Sequence, residues 1–324
     1  MGGQKLLEVN GLKKYFPIGG LFSGGKKLVK AVDDVSFSVA RGETLGLVGE
    51  SGCGKTTTGR TIMRLLDPTG GSIKFDGEEI AGLSEKELRQ YRGRMQMIFQ
   101  DPYGSLNGRL TVQQIIQEPL TSTGCNSREE CMQRAGEMLA RVGLKKEHLQ
   151  KYPHEFSGGQ RQRIGIARAL ITKPDFIVCD EPISALDVSI QAQIVNMLQD
   201  LQDELGLTYL FIAHDLAMVK YISSRMGVMY LGQIVELSSS AEIYQKPLHP
   251  YTVGLMNAIP VADPRKAAQK KEASISGDIP SPINPPPGCR FSSRCKHCKA
   301  ICKEVSPKLK EAAPGHMVAC HLFD

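Results

Sequence analysis

The sequence contains no tryptophan among its 324 residues, and aromatic residues make up only 6% of it. It also has no apolar run close to the ~20 residues that a bilayer-spanning helix requires, so we expect no transmembrane helix. The segment Met1–Leu6 has neither the apolar core of a secretory signal peptide nor the residue at position six that N-myristoylation requires. We therefore expect a cytosolic protein that reaches a membrane only through a partner.

A strong excess of one charge is missing as well. Lysine and arginine number 40 against 34 acidic residues, which gives a net charge of +6. The basic residues form pairs but no long block, so the sequence favours solvated faces over a nucleic-acid groove. The length suggests about two domains. Five of the nine cysteines crowd into residues 289–324, which in a reducing compartment indicates metal binding more than disulfides.

A glycine-rich segment that matches G-x-x-x-x-G-K-[ST] directly follows the apolar run Thr44–Val48. It comprises Gly49, Glu50, Ser51, Gly52, Cys53, Gly54, Lys55, Thr56 and Thr57. Because a predicted strand precedes it and a predicted helix follows it, the pattern indicates a phosphate-binding loop. We expect Lys55 to contact the β- and γ-phosphates and Thr56 to bind Mg²⁺. The sequence therefore predicts a nucleoside triphosphate site.

Two further features lie in or near this loop. Cys53 lies close to a predicted helix N-terminus, which should lower its pKa, so we expect alkylation of this thiol to abolish ATP binding. Tyr15 and Phe16 precede Pro17 in a β-rich region and could stack on an adenine. Packing in a β core is an equally good interpretation for either residue alone.

Polar residues follow three apolar runs of strand length. Gln100 ends the run from Met95, Asp180 and Glu181 end the run from Phe176, and His214 follows a run from Leu210. Acids at the carboxyl end of a strand beside a phosphate loop suit Mg²⁺ binding by Asp180 and general-base catalysis by Glu181. A histidine in that position is suited to sense the γ-phosphate.

The segment from Asp101 to about Tyr152 shows helical patterns in place of strands, which suggests a helical subdomain inserted in an α/β core. Ser84 with Glu87 and Ser127 with Glu130 have the spacing of capping boxes that open helices. The segment 156–160 opens another helix, with Ser157 as its N-cap, and such an N-terminus also suits a phosphate.

These motifs together resemble the ATP-binding subunit of an ATP-binding-cassette (ABC) transporter. In that family's terms the Walker A loop is residues 49–56, the Q-loop residue is Gln100 and the signature is residues 156–160. Walker B is residues 176–180 with catalytic Glu181, the D-loop is residues 184–187 and the switch histidine is His214. The signature begins with Phe156, where leucine is commonest.

The resemblance implies an α/β fold. We expect an ABC-type P-loop ATPase core with an N-terminal antiparallel β subdomain and a helical subdomain at about residues 101–170. This nucleotide-binding domain would span residues 1–255. A proline-rich linker (residues 256–288) and a small metal-stapled extension (residues 289–324) would follow it.

The resemblance also implies a mechanism and partners. ATP would lie between two cassettes, with the partner's signature and D-loop closing over the γ-phosphate; these are Ser157, Gly158, Gly159, Gln160 and Asp187. Thr56, Gln100 and Asp180 would complete the Mg²⁺ shell. The segment after residue 240, with His249-Pro250-Tyr251-Thr252, resembles the F-type subunit of dipeptide/oligopeptide permeases. Its partners would be a paralogous D-type ATPase, two membrane permease subunits and an extracytoplasmic peptide-binding protein.

Permease subunits of this type are similar in carrying a C-terminal [4Fe–4S] cluster on four cysteines. The matching positions here are Cys289, Cys295, Cys302 and Cys320, and Cys298 is extra. Thiolates suit Zn²⁺ equally, so zinc stays an alternative. A tail of this size can hardly bury a core of its own, so we expect a metal to staple it.

Three alternatives remain open at this point. Nickel-importer subunits are close relatives, so the transported solute is not fixed. A homodimer of cassettes is the alternative to the paralogous pair. A soluble ABC protein acting on nucleic acid is disfavoured by the single cassette and the weak charge excess.

Overall fold

The computed structural model describes residues 4–18, 27–122, 127–259, 277–278 and 280–324. The strands are β1 (Lys5–Ile18), β2 (Lys27–Ala40), β3 (Thr44–Val48), β4 (Gly70–Phe75), β5 (Glu78–Glu79), β6 (Met95–Ile98), β7 (Phe176–Asp180), β8 (Thr208–Ile212), β9 (Arg225–Tyr230), β10 (Gln233–Ser239), β11 (Lys310–Ala313) and β12 (His316–Val318). The α-helices are α1 (Lys55–Ile62), α2 (Glu85–Arg92), α3 (Val112–Gln117), α4 (Arg128–Arg141), α5 (Gly158–Leu170), α6 (Val188–Leu205), α7 (Leu216–Ile222), α8 (Ser240–Gln245), α9 (Pro250–Ala258) and α10 (Ile301–Glu304).

The described chain divides into two compact units that interleave along the sequence. The first unit comprises residues within 1–7, 39–44 and 75–212, and the second comprises residues within 8–38, 45–74 and 213–324. Within the predicted linker region 256–288, residues 260–276 and 279 lie outside the described residues.

The first unit is built on three parallel strands, with β7 between β6 and β8. Every residue of β7 and β8 is buried. Strands of a parallel sheet are usually covered on both faces, and for this reason they appear in the sequence as continuous apolar runs. The described residues 101–122 and 127–152 contain helices and turns and no strand, as the sequence predicts. Ser84 and Glu87 form the predicted capping box at the start of α2.

The second unit contains two groups of strands. In the N-terminal sheet β1 lies between β2 and β4, which confirms the expected antiparallel N-terminal sheet. In the other group β3 pairs in parallel with β9, and β9 pairs antiparallel with β10. The phosphate loop thus leaves a fully buried strand, β3, and enters α1 at Lys55.

The C-terminal tail joins this second group of strands. Val318 of β12 pairs with Glu236 of β10, and β11 pairs with β12. Phe291 and Val318 are almost completely buried, so the tail shares the apolar core of its unit and does not need a core of its own. The expectation that a tail of this size requires a metal staple is therefore not supported. Within the described part of the chain, no group of three or more His, Cys, Asp and Glu residues is arranged to hold a single metal ion.

None of the described helices combines the length and apolarity that crossing a membrane requires.

Candidate functional site

The phosphate loop turns into α1 through Gly54, which has a φ of 106°. A Cβ atom at this position would lie 2.1 Å from the carbonyl oxygen of Ala31. Only glycine allows both this left-handed backbone and this close approach. The glycine of the G-K-T element is thus required by the local geometry as well as by the motif.

Lys55 is the first residue of α1, and its side chain is almost completely buried. Its Nζ donates hydrogen bonds to the carbonyl oxygens of Gly49 (2.8 Å) and Glu50 (3.1 Å). Two carbonyl oxygens of the phosphate loop therefore hold the ammonium group of Lys55 inside the loop. An ammonium buried in this way is strongly attractive to an anion, because low-dielectric surroundings strengthen charge interactions.

Glu50 is fixed on two sides by residues far along the chain. Its backbone N–H donates to the hydroxyl of Tyr251 at 2.9 Å, and its carboxylate accepts two hydrogen bonds from Arg294. That N–H is therefore already satisfied within the protein. The contribution of Glu50 to a nucleotide site is through the shape and charge of the loop.

The pKa of the Cys53 thiol differs from the value expected for a cysteine close to a helix N-terminus. The residue is only 4% exposed, and burial raises the pKa of its thiol, which outweighs the lowering effect of Lys55 nearby. The predicted lowering of the pKa is therefore wrong. The physical reason is that desolvation disfavours the thiolate more than the neighbouring positive charge favours it.

The two candidate adenine-stacking residues lie next to each other in β1 but have different surroundings. The Tyr15 hydroxyl donates to the Asp33 carboxylate, and Lys30 Nζ lies 5.6 Å from the centre of the Tyr15 ring. Burial and this hydrogen bond raise the pKa of Tyr15. Phe16 is half-buried, with Lys14 Nζ 5.1 Å from its ring centre. Successive residues of a strand point to opposite faces, so only one ring can face a given ligand.

Gln100, Asp180 and Glu181 form a group in the first unit. Asp180 is fully buried at the last position of β7. Glu181 has a φ of 45°, a strained conformation for a non-glycine residue. The Nε2 of Gln100 donates to Oε2 of Glu181 at 2.9 Å. The structure thus brings together the predicted Q-loop residue and the predicted general base.

The segment 156–160 forms the expected helix start. Ser157 is the N-cap of α5: its Oγ accepts from the N–H of Gln160, whose side chain accepts from the N–H of Ser157. Ser157 is exposed, so its hydroxyl is accessible from outside the chain. Asp187, which precedes α6, is exposed too. Both surfaces belong to the first unit and are available to another molecule.

His214 belongs to the second unit and follows the end of β8 by two residues. The residue is exposed, and the next residue, Asp215, caps α7 by accepting from the N–H groups of Ala217 and Met218. The predicted position of His214, directly after a core strand, is confirmed.

The four candidate cluster cysteines, Cys289, Cys295, Cys302 and Cys320, line one small cavity of about 10 Å³ in the second unit. No carboxylate is among the described residues that line it, and Cys298 is not among them either. Burial raises the pKa of Cys289 to about 11. The backbone N–H of Lys299 donates to Cys302 Sγ at 3.4 Å. The four thiols therefore share one cavity, which they line together with His297 and His321.

The sequence did not single out Arg294 or Arg290, which connect this tail to the rest of its unit. Arg294 binds the Glu50 carboxylate, and Arg290 binds the Asp33 carboxylate and the Leu231 carbonyl oxygen. Each directly adjoins a cluster cysteine: Arg290 follows Cys289, and Arg294 precedes Cys295. The only feature of the sequence that could have pointed to these two arginines is their position in a cysteine-rich segment.

Family models match two parts of the chain. The model described as ABC transporter matches residues 32–184, and the model described as the C-terminal region of oligopeptide/dipeptide transporters matches residues 235–302.

Curated proteins align with nearly the full length. The chain is 54% identical to AppF, an oligopeptide transport ATP-binding protein of Bacillus subtilis, across 99% of this chain and 98% of that protein. It is 53% identical to a putative peptide import ATP-binding protein of Brucella ovis, across 97% of each.

Solved structures show the same fold for most of the chain. A dimeric ATP-binding cassette, MJ0796, in a post-hydrolysis state bound to ADP and Pi is similar with a TM-score of 0.65 and 28% identity. The alignment includes 72% of this chain and 98% of the MJ0796 chain. The cbiO1 protein of Clostridium perfringens, part of the ABC transporter complex cbiONQ, has a TM-score of 0.65 and 27% identity, covering 82% of this chain and 98% of that one.

Proposed function

This chain belongs to the ATP-binding proteins of ABC transporters, in the oligopeptide and dipeptide transporter group, and on that premise we propose which residues and partners perform its work. As a member of this family it hydrolyses ATP, and the hydrolysis powers peptide import. Our proposal concerns the binding residues, the chemical step, the second cassette, the membrane partners and the C-terminal cysteines.

We assign triphosphate binding to residues 49–57, with Lys55 on the β- and γ-phosphates. The support is the burial of Lys55 and its hydrogen bonds to the loop carbonyls of Gly49 and Glu50. We assign adenine stacking to Phe16, because the Tyr15 hydroxyl is engaged by Asp33. Stacking requires only an accessible ring face, which phenylalanine supplies without a polar partner.

Glu181 acts as the general base. It accepts the proton of a water whose oxygen bonds to the γ-phosphorus, while the bond from that phosphorus to the β,γ-bridging oxygen breaks and ADP leaves with the electron pair. Gln100 orients the Glu181 carboxylate, as their 2.9 Å hydrogen bond suggests. Mg²⁺ would be held by Thr56, Gln100 and Asp180, and when bound it neutralises phosphate charge. His214 would contact the γ-phosphate.

A second cassette completes the site by supplying the equivalents of Ser157, Gly158, Gly159, Gln160 and Asp187. The support is the exposure of Ser157 and Asp187, with Val188, directly after Asp187, 74% exposed. We propose a paralogous D-type subunit as this partner.

The membrane partners are two permease subunits, and an extracytoplasmic protein delivers the peptide. The helical segment about residues 101–170 is the surface we assign to the permease. It includes Tyr103, which is 61% exposed and stacks under the Arg161 guanidinium at 4.0 Å. The chain would therefore work at the cytoplasmic face of the membrane.

We assign a [4Fe–4S] cluster to the four cysteines. A zinc ion needs all its ligands about 2.3 Å from one centre, whereas a cluster distributes them over separate irons. The support for the cluster is that the four thiols line one cavity, because thiolates are the ligands of such clusters. Anaerobic purification followed by iron and sulfide analysis tests this; tightly bound zinc without iron would contradict it.

The hydrogen bond between Gln100 and Glu181 is the observation that carries the catalytic assignment. The variant Glu181→Gln keeps the side-chain volume but cannot take up a proton. We expect ATP binding to remain and turnover to fall by a factor of about 100 or more. Glu129→Gln, an exposed acid in the first turn of α4, is the matched control and should keep full activity. Normal turnover in Glu181→Gln would remove this residue as the base.

A further inference from the structure

We propose that Arg294, in the cysteine-rich tail, is a positioning residue for ATP binding: it neutralises Glu50 and fixes the phosphate loop that holds Lys55. Both residues lie in the second unit, and 244 positions separate them in the sequence. The inference rests on the proposed nucleotide site and adds to it a residue from outside the nucleotide-binding motifs.

The contact between Arg294 and Glu50 is bidentate. Nη1 of Arg294 lies 2.9 Å from Oε2 of Glu50, and Nη2 lies 3.2 Å from Oε1. The Arg294 side chain is 7% exposed and that of Glu50 is 23% exposed, so water screens this pair only in part. Two parallel hydrogen bonds between a guanidinium and a carboxylate fix orientation as well as charge. This geometry makes Arg294 a specific partner of the loop.

A second contact from the C-terminal half holds the Glu50 backbone. The Glu50 N–H donates to the hydroxyl of Tyr251, whose side chain is fully buried. Tyr251 packs against Phe291, three residues before Arg294, with the ring centres 5.5 Å apart. Phe291 and Arg294 therefore belong to one packed cluster that contacts the loop through both the side chain and the backbone of Glu50.

These contacts continue to the phosphate-binding lysine. The carbonyl oxygen of Glu50 accepts from Lys55 Nζ at 3.1 Å. Arg294 thus fixes Glu50, and Glu50 in turn helps to fix the ammonium that meets the phosphates. A displacement of Glu50 would therefore move one of the two carbonyl oxygens that hold Lys55.

Arg294 also affects ATP binding through its charge. ATP brings several negative charges to this loop, and an unpaired carboxylate at Glu50 would repel them. The guanidinium of Arg294 cancels that carboxylate locally. Removal of Arg294 should therefore weaken ATP binding more than ADP binding, because ATP carries the larger charge. Removal of the Glu50 carboxylate should offset the part of this loss that comes from the unpaired charge.

The experiment measures equilibrium binding of ATP and ADP in EDTA, so that no turnover occurs. We expect Arg294→Ala to raise the Kd for ATP about tenfold or more, which corresponds to about 1.4 kcal/mol. Arg294→Lys, which keeps the charge but loses the bidentate geometry, should give an intermediate value. The double variant Arg294→Ala with Glu50→Gln removes the unpaired charge but does not restore the bidentate contact, so its Kd for ATP should lie between those of Arg294→Ala and the wild type.

Lys310→Ala is the matched control. It removes a cation from the same tail, where Lys310 pairs with Asp324 at the surface, and it should leave both constants unchanged. Thermal unfolding of each variant checks that it is folded. If Arg294→Ala does not fold, Arg294→Lys carries the test, and its Kd for ATP should lie above that of the wild type because the bidentate contact is lost.

Two outcomes would overturn the inference. One is a folded Arg294→Ala variant whose Kd for ATP stays within twofold of the wild type. The other is a weakened Arg294→Ala variant whose Kd for ATP is not lowered at all by Glu50→Gln, since neutralisation of the Glu50 carboxylate would then play no part. Lys55→Ala separates this result from a failure of the nucleotide site itself: if that variant retains ATP binding, the proposed site is wrong.

Discussion

His316 Nε2 lies 2.6 Å from Oε1 of Glu236, and the two side chains are only 3% and 0% exposed. Glu236 also accepts hydrogen bonds from the backbone N–H groups of Leu248 (2.8 Å) and His249 (2.9 Å). One buried carboxylate in β10 therefore connects β12 of the tail and the start of α9. Buried polar groups of this kind stabilise a fold only while every member of the network has its partner.

The first prediction concerns this carboxylate. Glu236→Ala would leave two backbone N–H groups and His316 without their acceptor, and we expect it to lower the free energy of unfolding by about 3–5 kcal/mol. Urea unfolding measures the change. Glu304→Ala, an exposed acid in α10, is the control and should lie within about 0.5 kcal/mol of the wild type. A Glu236→Ala effect no larger than the control would contradict the assigned role.

The second prediction compares the two signature glycines. A Cβ on Gly159 would lie 2.6 Å from Ile190 Cγ2, whereas one on Gly158 would lie 3.6 Å from Leu186 Cδ2, an ordinary contact. Gly159→Ala should therefore cost about 1–3 kcal/mol of stability through overpacking, and Gly158→Ala should stay within about 1 kcal/mol of the wild type. Thermal unfolding distinguishes them. Equal stability of the two variants would show that Ile190 shifts freely.

The third prediction separates the two neighbouring aromatic residues of β1. Phe16→Ala should raise the Kd for ATP about tenfold, the usual size of a lost base–aromatic contact. Tyr15→Phe keeps the ring but loses the hydrogen bond to Asp33, so it should leave the Kd within twofold and lower stability by about 1 kcal/mol. Nucleotide titration and thermal unfolding give both values. The opposite pattern would assign the stacking to Tyr15.

The fourth prediction follows from the corrected state of Cys53. Because burial raises the pKa of this thiol and only 4% of the residue is exposed, iodoacetamide should modify it at pH 7.5 at least tenfold more slowly than in urea. Mass spectrometry after timed quenching measures the rate. Cys298, which is more exposed, serves as the internal control. Rapid loss of the free Cys53 thiol in the folded protein would contradict the assignment.

The raised pKa of Cys53 also makes the free energy of unfolding depend on pH. The folded state holds the Cys53 proton to higher pH than the unfolded chain, whose thiols ionise near pH 8.5. Above that pH the unfolded state binds fewer protons, so the contribution of this residue to stability falls as the pH rises. Cys53→Ala should show a smaller loss of stability between pH 8 and pH 10, measured by urea unfolding.

The sequence predicted those parts of the site that local chemistry specifies. The strand, loop and helix around Lys55, the N-cap at Ser157 and the positions of Gln100 and Glu181 all follow from short patterns that are contiguous in the chain. Such patterns constrain the backbone directly, because glycine and capping residues act on their immediate neighbours.

Features that depend on contacts between distant segments were not predictable in the same way. Nothing local in residues 289–324 indicates that Arg294 binds Glu50, because the contact joins segments that only the folded chain brings together. The strand β11 is short and has no buried residue, so it lacks the alternation that marks a strand in a sequence. The pKa of Cys53 was mispredicted because burial, unlike a helix N-terminus, cannot be read from neighbouring residues.

The pairing of β12 with β10 also affects how truncated forms of this protein should be interpreted. Deletion of residues 289–324 would do more than remove cysteines, since it would leave the backbone groups of β10 that now bond to β12 without partners. An unpaired edge strand of this kind can form hydrogen bonds with strands of other chains, which promotes aggregation. Insolubility of a shortened protein would therefore report the loss of a neighbouring strand, and single cysteine substitutions in the intact chain are the appropriate way to study the tail.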